Sequence, residues 1–178
     1  MNGYDVGEVM KTFRVVADTR EQRTPRAAER FAALGENLER ATLDYGDYCG
    51  NIELPNGPIY DINNRIQARC VVERKMHLDE LAACFTRGRE RFEREFKRAA
   101  DNKAKVFLLV EDGSYEAIIR HRYRSKFSPE AFKASLIAWQ LRYDLSVIFC
   151  KSDTSGMLIK EILSRDMRMR LERGDYDG

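Results

Sequence analysis

The run Val106-Phe107-Leu108-Leu109-Val110 is apolar at every position, with Lys105 before it and Glu111 after it. A strand with one face in water alternates apolar and polar side chains, whereas a strand covered on both faces has no reason to. Lys105 to Val110 is therefore expected to lie inside a sheet with helices on either side. Two other segments suit the same sheet. Phe13 to Ala17 is a short apolar run closed by Asp18, and Ala68 to Lys75 carries Val71-Val72 into Glu73-Arg74-Lys75. Helical patterns lie between them. The expectation is one α/β domain over residues 1–178, a mixed central sheet flanked by helices, at a length that fits a single core.

Local signals fill in the order. Thr24-Pro25 reads as an N-cap followed by proline in the first helical position, and Ala27, Ala28, Phe31, Ala32 and Leu34 continue a helix that Gly35 ends. Asn37 to Leu43 and Tyr48 to Leu54 read as strands around the turn Asp44-Tyr45-Gly46-Asp47, and Pro55-Asn56-Gly57-Pro58 is a second turn. Ile59 to Ile66 has little periodicity and suits a loop or an edge strand. Leu78, Leu81, Ala82 and Phe85 recur at helical spacing in His77 to Phe85, where His77 reads as a surface residue. Gly88 interrupts, and Arg89 to Ala100 forms a second helix with Phe92, Phe96 and Ala99 on one face. Arg91, Arg94 and Arg98 lie roughly opposite, interleaved with Glu90, Glu93 and Glu95 as on a solvated face. A helix over Tyr115 to Arg120, one from Ser128-Pro129 to Tyr143, a strand from Ser146 to Cys150 and a helix over Asp153 to Met169 complete the chain. Residues 1–11 and 171–178 are expected to be loose.

Composition excludes several classes. Thirty-one Lys plus Arg against 29 Asp plus Glu leaves a net charge of +2, so any nucleic-acid surface has to come from local segregation of charge. Cys49, Cys70, Cys84 and Cys150 contain no C-x-x-C pair, which argues against structural zinc and against a disulfide framework. No signal-peptide core or membrane-length apolar run is present, so the protein is expected to stay where it is made, away from membranes.

Chemistry-bearing residues gather at strand ends. Glu73 and Lys75, two apart on one strand, share a face, while Arg74 takes the other. Such a pair decorates many solvated strands. Upstream, however, stand Asp18-Thr19-Arg20-Glu21 after one apolar run, and Gly46-Asp47 before another. Cleavage of a phosphodiester by a metal nuclease needs hard oxygen ligands for Mg²⁺ or Mn²⁺ and gains from a lysine near the attacking water. Asp18, Glu21, Asp47, Glu73 and Lys75 meet that need if the fold unites them. The segment His121-Arg122-Tyr123-Arg124-Ser125-Lys126-Phe127 is the densest basic and aromatic stretch, able to neutralise phosphates and to stack on an unpaired base.

The same residues resemble a known family. Asp18-Thr19-Arg20-Glu21, then Gly46-Asp47, then Glu73-Arg74-Lys75 with Asp79 four residues past the lysine, is similar to the signature Gly-Asp-Xn-Glu-Arg-Lys-X3-Asp of XPF-type structure-specific endonucleases, within the PD-(D/E)XK superfamily. Gly88-Arg89 with Glu93, and the strand ending in Glu111, follow in order. The resemblance implies a restriction-endonuclease-like fold and Mg²⁺- or Mn²⁺-dependent hydrolysis of flap, fork or junction DNA in repair or recombination. It implies metal ligation by Asp47 and Glu73, completed or braced by Glu21 and Asp18, and a catalytic Lys75 supported by Arg74, Arg89 and Asp79, with Asp79 a brace for Arg74 or Lys75. Arg20, Arg91, Arg94, Arg122, Arg124 and Lys126 are the expected DNA contacts. Relatives pair through helices of the C-terminal half, so a homodimer is expected, in the cytoplasm of a microbe or phage host or in a eukaryotic nucleus. They usually also carry a tandem helix-hairpin-helix module, which these 178 residues are not expected to include. A silent DNA-binding partner subunit and a sequence-reading restriction or defence nuclease are the alternative functions.

Overall fold

The computed structural model describes residues 4–21, 24–36 and 38–176, the side chain of Arg26 excepted. The start of the expected N-terminal arm, the first residue of the expected strand from Asn37 and the last two residues lie outside the described residues. Asp5 accepts from the amide of Glu8 and starts helix α1 (Val6–Met10), which leads into β1 (Arg14–Asp18). Thr24 caps α2 (Pro25–Leu34) by accepting from the Ala27 amide, with proline in the first turn. Strands β2 (Glu39–Ala41) and β3 (Tyr48–Asn51) follow, then a two-residue hairpin, β4 (Glu53–Leu54) with β5 (Gly57–Pro58). Next come β6 (Cys70–Lys75), α3 (Leu78–Phe85), α4 (Arg89–Asp101), β7 (Lys105–Glu111) and α5 (Tyr115–Ile119). Ser128 caps α6 (Pro129–Tyr143), and β8 (Leu145–Cys150) and α7 (Ser155–Arg173) close the chain.

The main sheet has the order β2-β1-β3-β6-β7-β8. β1 pairs with β2 in parallel, β6 with β7 and β7 with β8 likewise, while β3 is antiparallel to both β1 and β6. Five strands thus run one way and β3 alone runs the other. The carboxyl ends of β1, β6 and β7 and the amino end of β3 meet along one edge, where ligands gather in open α/β sheets.

Strand alternation sorts the core into two layers. Val16, Val71, Val106, Leu108 and Val110 pack with Leu81, Phe85, Phe92, Phe96, Phe132 and Trp139 from α3, α4 and α6. Val15, Ala17, Tyr48, Val72 and Leu109 pack with Leu34, Ile159 and Leu163 from α2 and α7. By the same alternation Glu73 and Lys75 belong to the α3/α4 side, and Arg74 and Glu111 to the α2/α7 side.

Of the residues expected to be loose, 4–11 and 171–176 are more ordered than expected. Val9, Met167 and Leu171 share a third apolar cluster with Ile52, against which Tyr176 packs, and α7 runs on to Arg173. Polar composition suggested fraying, but tertiary burial of a few apolar residues fixes these segments. Ile59 to Ile66 forms no strand beyond an isolated bridge between Leu43 and Ile66.

Candidate active site

Asp47 is held by the sheet itself. Its amide donates to the Val72 carbonyl (2.9 Å), its carbonyl accepts from the Asp18 amide (2.8 Å), and its carboxylate accepts from the Arg74 amide at 2.7 Å. The carboxylate completes the ladder where β3 has not yet begun. Gly46 permits the approach: at φ 74° a Cβ there would meet the Val71 Cβ at 2.7 Å.

Asp47, Glu73 and Lys75 line a cleft of about 330 Å³ with Glu21, Arg30, Arg74, Glu80, Arg91 and Glu95. Burial, then the charge of Glu73, pushes the Asp47 carboxyl up to about 8, against the pull of Lys75 and the Arg74 amide. Burial likewise raises Glu73, with Lys75 opposing. Burial alone would lower Lys75, yet Glu73 and Asp47 together hold its ammonium above the usual value. Lys75 is ion-paired with Glu73 and lies 4.8 Å from the centre of the Phe92 ring. It stays cationic at neutral pH, a donor rather than a base.

Across the sheet lies a second charged group. Arg30 donates to Glu21 (2.9 Å), Glu111 (3.0 Å) and the Tyr48 hydroxyl (2.9 Å); Arg74 donates to Glu21 (2.9 Å) and Glu111 (3.3 Å); the Tyr48 hydroxyl donates to Glu21 (3.0 Å). Arg30 and Glu111 are 3% and 0% exposed. Buried charges at such exposures persist only when paired. Gly156 of α7 lets α2 close in, since a Cβ there would stand 2.8 Å from the Arg30 carbonyl and the Ala33 Cβ.

The expected site residues differ in their contacts. Asp18 takes the Arg20 guanidinium (2.7 and 3.1 Å) and the amides of Arg20 and Leu43, and it does not line the cleft; it braces the β1 turn. Glu21, expected to complete or brace the site, lines the cleft, and one of its oxygens accepts from Arg30, Arg74 and Tyr48. Arg89 pairs with Glu93 (3.2 Å) away from the cleft, and Arg94 faces Glu90 at 3.8 Å. Asp79 contacts the amides of Arg124 and Ser125, not Arg74 or Lys75. Tyr123 and Phe127, expected to be open to a base, pack on Phe132. His77 is exposed, as expected, and in addition caps α3 by accepting from the Glu80 amide.

Of the cleft residues that were missed, Arg30 and Glu95 carried a signal. Both sit on the apolar stripe of a helix, Ala27-Arg30-Phe31-Leu34 and Phe92-Glu95-Phe96-Ala99, and a charge at such a position is itself a signal. Glu95 is 8% exposed and accepts from the Gly46 amide at 3.0 Å, not the solvated glutamate expected.

Among the described residues no group of three or more His, Cys, Asp and Glu stands together to hold a metal ion. Asp47 and Glu73 nevertheless fit a hard cation. Their mutual repulsion is what a divalent ion would relieve, and Mg²⁺ commonly takes one or two carboxylates and keeps several waters.

The sequence matches the family model of the ERCC4 domain over residues 17–161. Among solved structures the chain is similar to XPF from Aeropyrum pernix, with a TM-score of 0.59 at 22% identity over 88% of this chain and 68% of that one. It is also similar to XPF from Aeropyrum pernix in complex with DNA, with a TM-score of 0.57 at 25% identity over 85% of this chain and 63% of that one. A comparison with curated proteins found no match.

Proposed function

This chain belongs to the ERCC4 domain family of XPF-type nucleases, and from that premise we propose that it is an endonuclease that hydrolyses DNA phosphodiesters with Mg²⁺ or Mn²⁺, acting on flap, fork or junction DNA during repair or recombination. The observation that carries this is the cleft where Asp47, Glu73 and a cationic Lys75 converge at the sheet edge. DNA binding is supported by the similarity to the Aeropyrum pernix protein, whose structure is a DNA complex.

Asp47 and Glu73 would hold the ion, which when bound supplies Lewis acidity and a counter-charge to the phosphate. Lys75 donates N–H to the attacking water, aiming it in line with the leaving 3′ oxygen, or to a non-bridging oxygen, offsetting its charge; the water's proton passes to solvent, which returns one to the 3′ oxygen. Arg74 and Arg30, tied to Glu21 and Glu111, keep the Arg74 amide aimed at Asp47 and so fix the carboxylate. Arg20 and Arg91 stand at the mouth, placed to meet neighbouring phosphates. Pairing of two copies is supported by Ile137 and Leu141, 44% and 82% exposed, one turn apart on α6.

The test is cleavage of labelled fork, flap, three-way-junction and linear duplex DNA in Mg²⁺, Mn²⁺ or EDTA. Wild type should cut branched substrates only with metal, and Asp47→Ala or Glu73→Ala should abolish cutting while DNA binding persists. Full activity in either variant would remove the site. Equal cutting of linear duplex at a fixed short sequence would favour a restriction-type nuclease.

A further inference from the structure

Resting on the nuclease function above, we infer that Asp79 is a positioning residue that fixes residues 121–127 as a phosphate-binding arm, beside a second cleft that the same DNA strand enters. Asp79 sits in the first turn of α3. One carboxylate oxygen accepts from two successive amides, Arg124 and Ser125, both at 2.7 Å. Charge-assisted bonds of this length are the stronger kind. Residues 121–127 have no helix or strand to satisfy their backbone, so the partner has to come from elsewhere.

The arm has a second set of anchors. Tyr123 packs edge-on to Phe132 with ring centres 5.3 Å apart and donates its hydroxyl to the Phe127 carbonyl at 2.7 Å. Phe127 stacks on Phe85 at 6.4 Å. With these alternate residues turned to the core, Arg122, Arg124 and Lys126 are left exposed. The three cations are thus presented from a backbone already ordered, which spares part of the entropy cost of gripping a phosphate chain.

The position of the arm follows from α3. Glu80 lines the cleft of Asp47 and Glu73, whereas its neighbour Asp79 lines a cleft of about 610 Å³ with His77, Thr86, Arg87, Arg124 and Ser125. The start of α3 is the wall between the two. Lys75, Glu80 and Arg87 line a further cleft that joins the two, so a strand whose scissile phosphate meets Lys75 would continue toward Arg87 and Arg124.

The experiment is fluorescence anisotropy of a labelled fork in EDTA over a salt series, for wild type, Asp79→Ala and Asp79→Asn, with amide hydrogen exchange at Arg124 and Ser125. The Mg²⁺ concentration for half-maximal cleavage is measured alongside. Asp79→Ala should bind about tenfold more weakly, with a salt slope lower by about one for each phosphate that the arm no longer neutralises. It should also lose protection at those two amides and keep the same Mg²⁺ requirement. Asp79→Asn, which retains the accepting oxygen, should recover most of the affinity. A raised Mg²⁺ requirement with unchanged affinity would make Asp79 a metal ligand and overturn the inference. Should Asp79→Ala not fold, the triple variant Arg122→Gln, Arg124→Gln, Lys126→Gln decides, because a wild-type salt slope there overturns it equally. Wild type that neither binds nor cuts the fork would overturn the nuclease function itself, and this inference with it.

Discussion

Asp47 carries a proton more tightly than an ordinary carboxyl because burial and Glu73 both oppose its charge, and its titration point rises from 3.8 to about 8. A carboxyl raised in the folded state contributes stability that is fully present below its unfolded value and is lost as pH climbs through the folded one. Metal-free protein should therefore lose stability between about pH 4 and pH 8 from this group. Asp47→Asn removes that dependence. In EDTA its melting temperature should equal that of wild type near pH 4 and exceed it by several degrees near pH 9, with Mg²⁺ narrowing the gap by favouring wild type. Parallel melting curves over that range would show that Asp47 is not the strained group. The Asp47, Glu73 and Lys75 set was legible from residue order, since strand alternation and the ordered motif put all three at one edge. Arg30 and Glu95 were not, because a charge among helical apolar residues was read by its neighbours along the chain, not by its place on the stripe.

At the scale of elements, α2 is fastened to the sheet by charge as much as by apolar contact. Arg30 spans from α2 to β7 through Glu111, while Arg74 reaches the same glutamate from β6. Removing one partner of a buried pair strands the others, typically at about 3–5 kcal/mol. Arg30→Met should show a loss of that size in urea unfolding, and adding Glu111→Gln should return part of it. A loss below about 1 kcal/mol, the ordinary value of an exposed pair, would mean that the cluster is wetter than its burial indicates. Strand and helix types were legible from periodicity, with ends shifting by a few residues. The two termini were not, because their order comes from packing between residues distant in sequence, such as Val9 with Leu171, that no local pattern encodes.

At the scale of the whole molecule, α6 lies over β8, the edge strand of the sheet, and presents Leu141 and Ile137 outward. If two copies meet there, Leu141→Lys should convert the dimer to a monomer in light scattering at micromolar concentration, and a wild type that is monomeric throughout would dismiss the pairing. The single reversed strand has a different consequence. Glu21, Asp47, Glu73 and Glu111 reach one edge only after β3 has been inserted between β1 and β6 and the α3–α4 crossover has delivered β7 beside β6. Such non-local pairings form late and cooperatively. A nascent or clipped chain ending before β7 lacks the glutamate that pairs with both Arg30 and Arg74, so it would hold Asp47, Glu73 and Lys75 without that anchor.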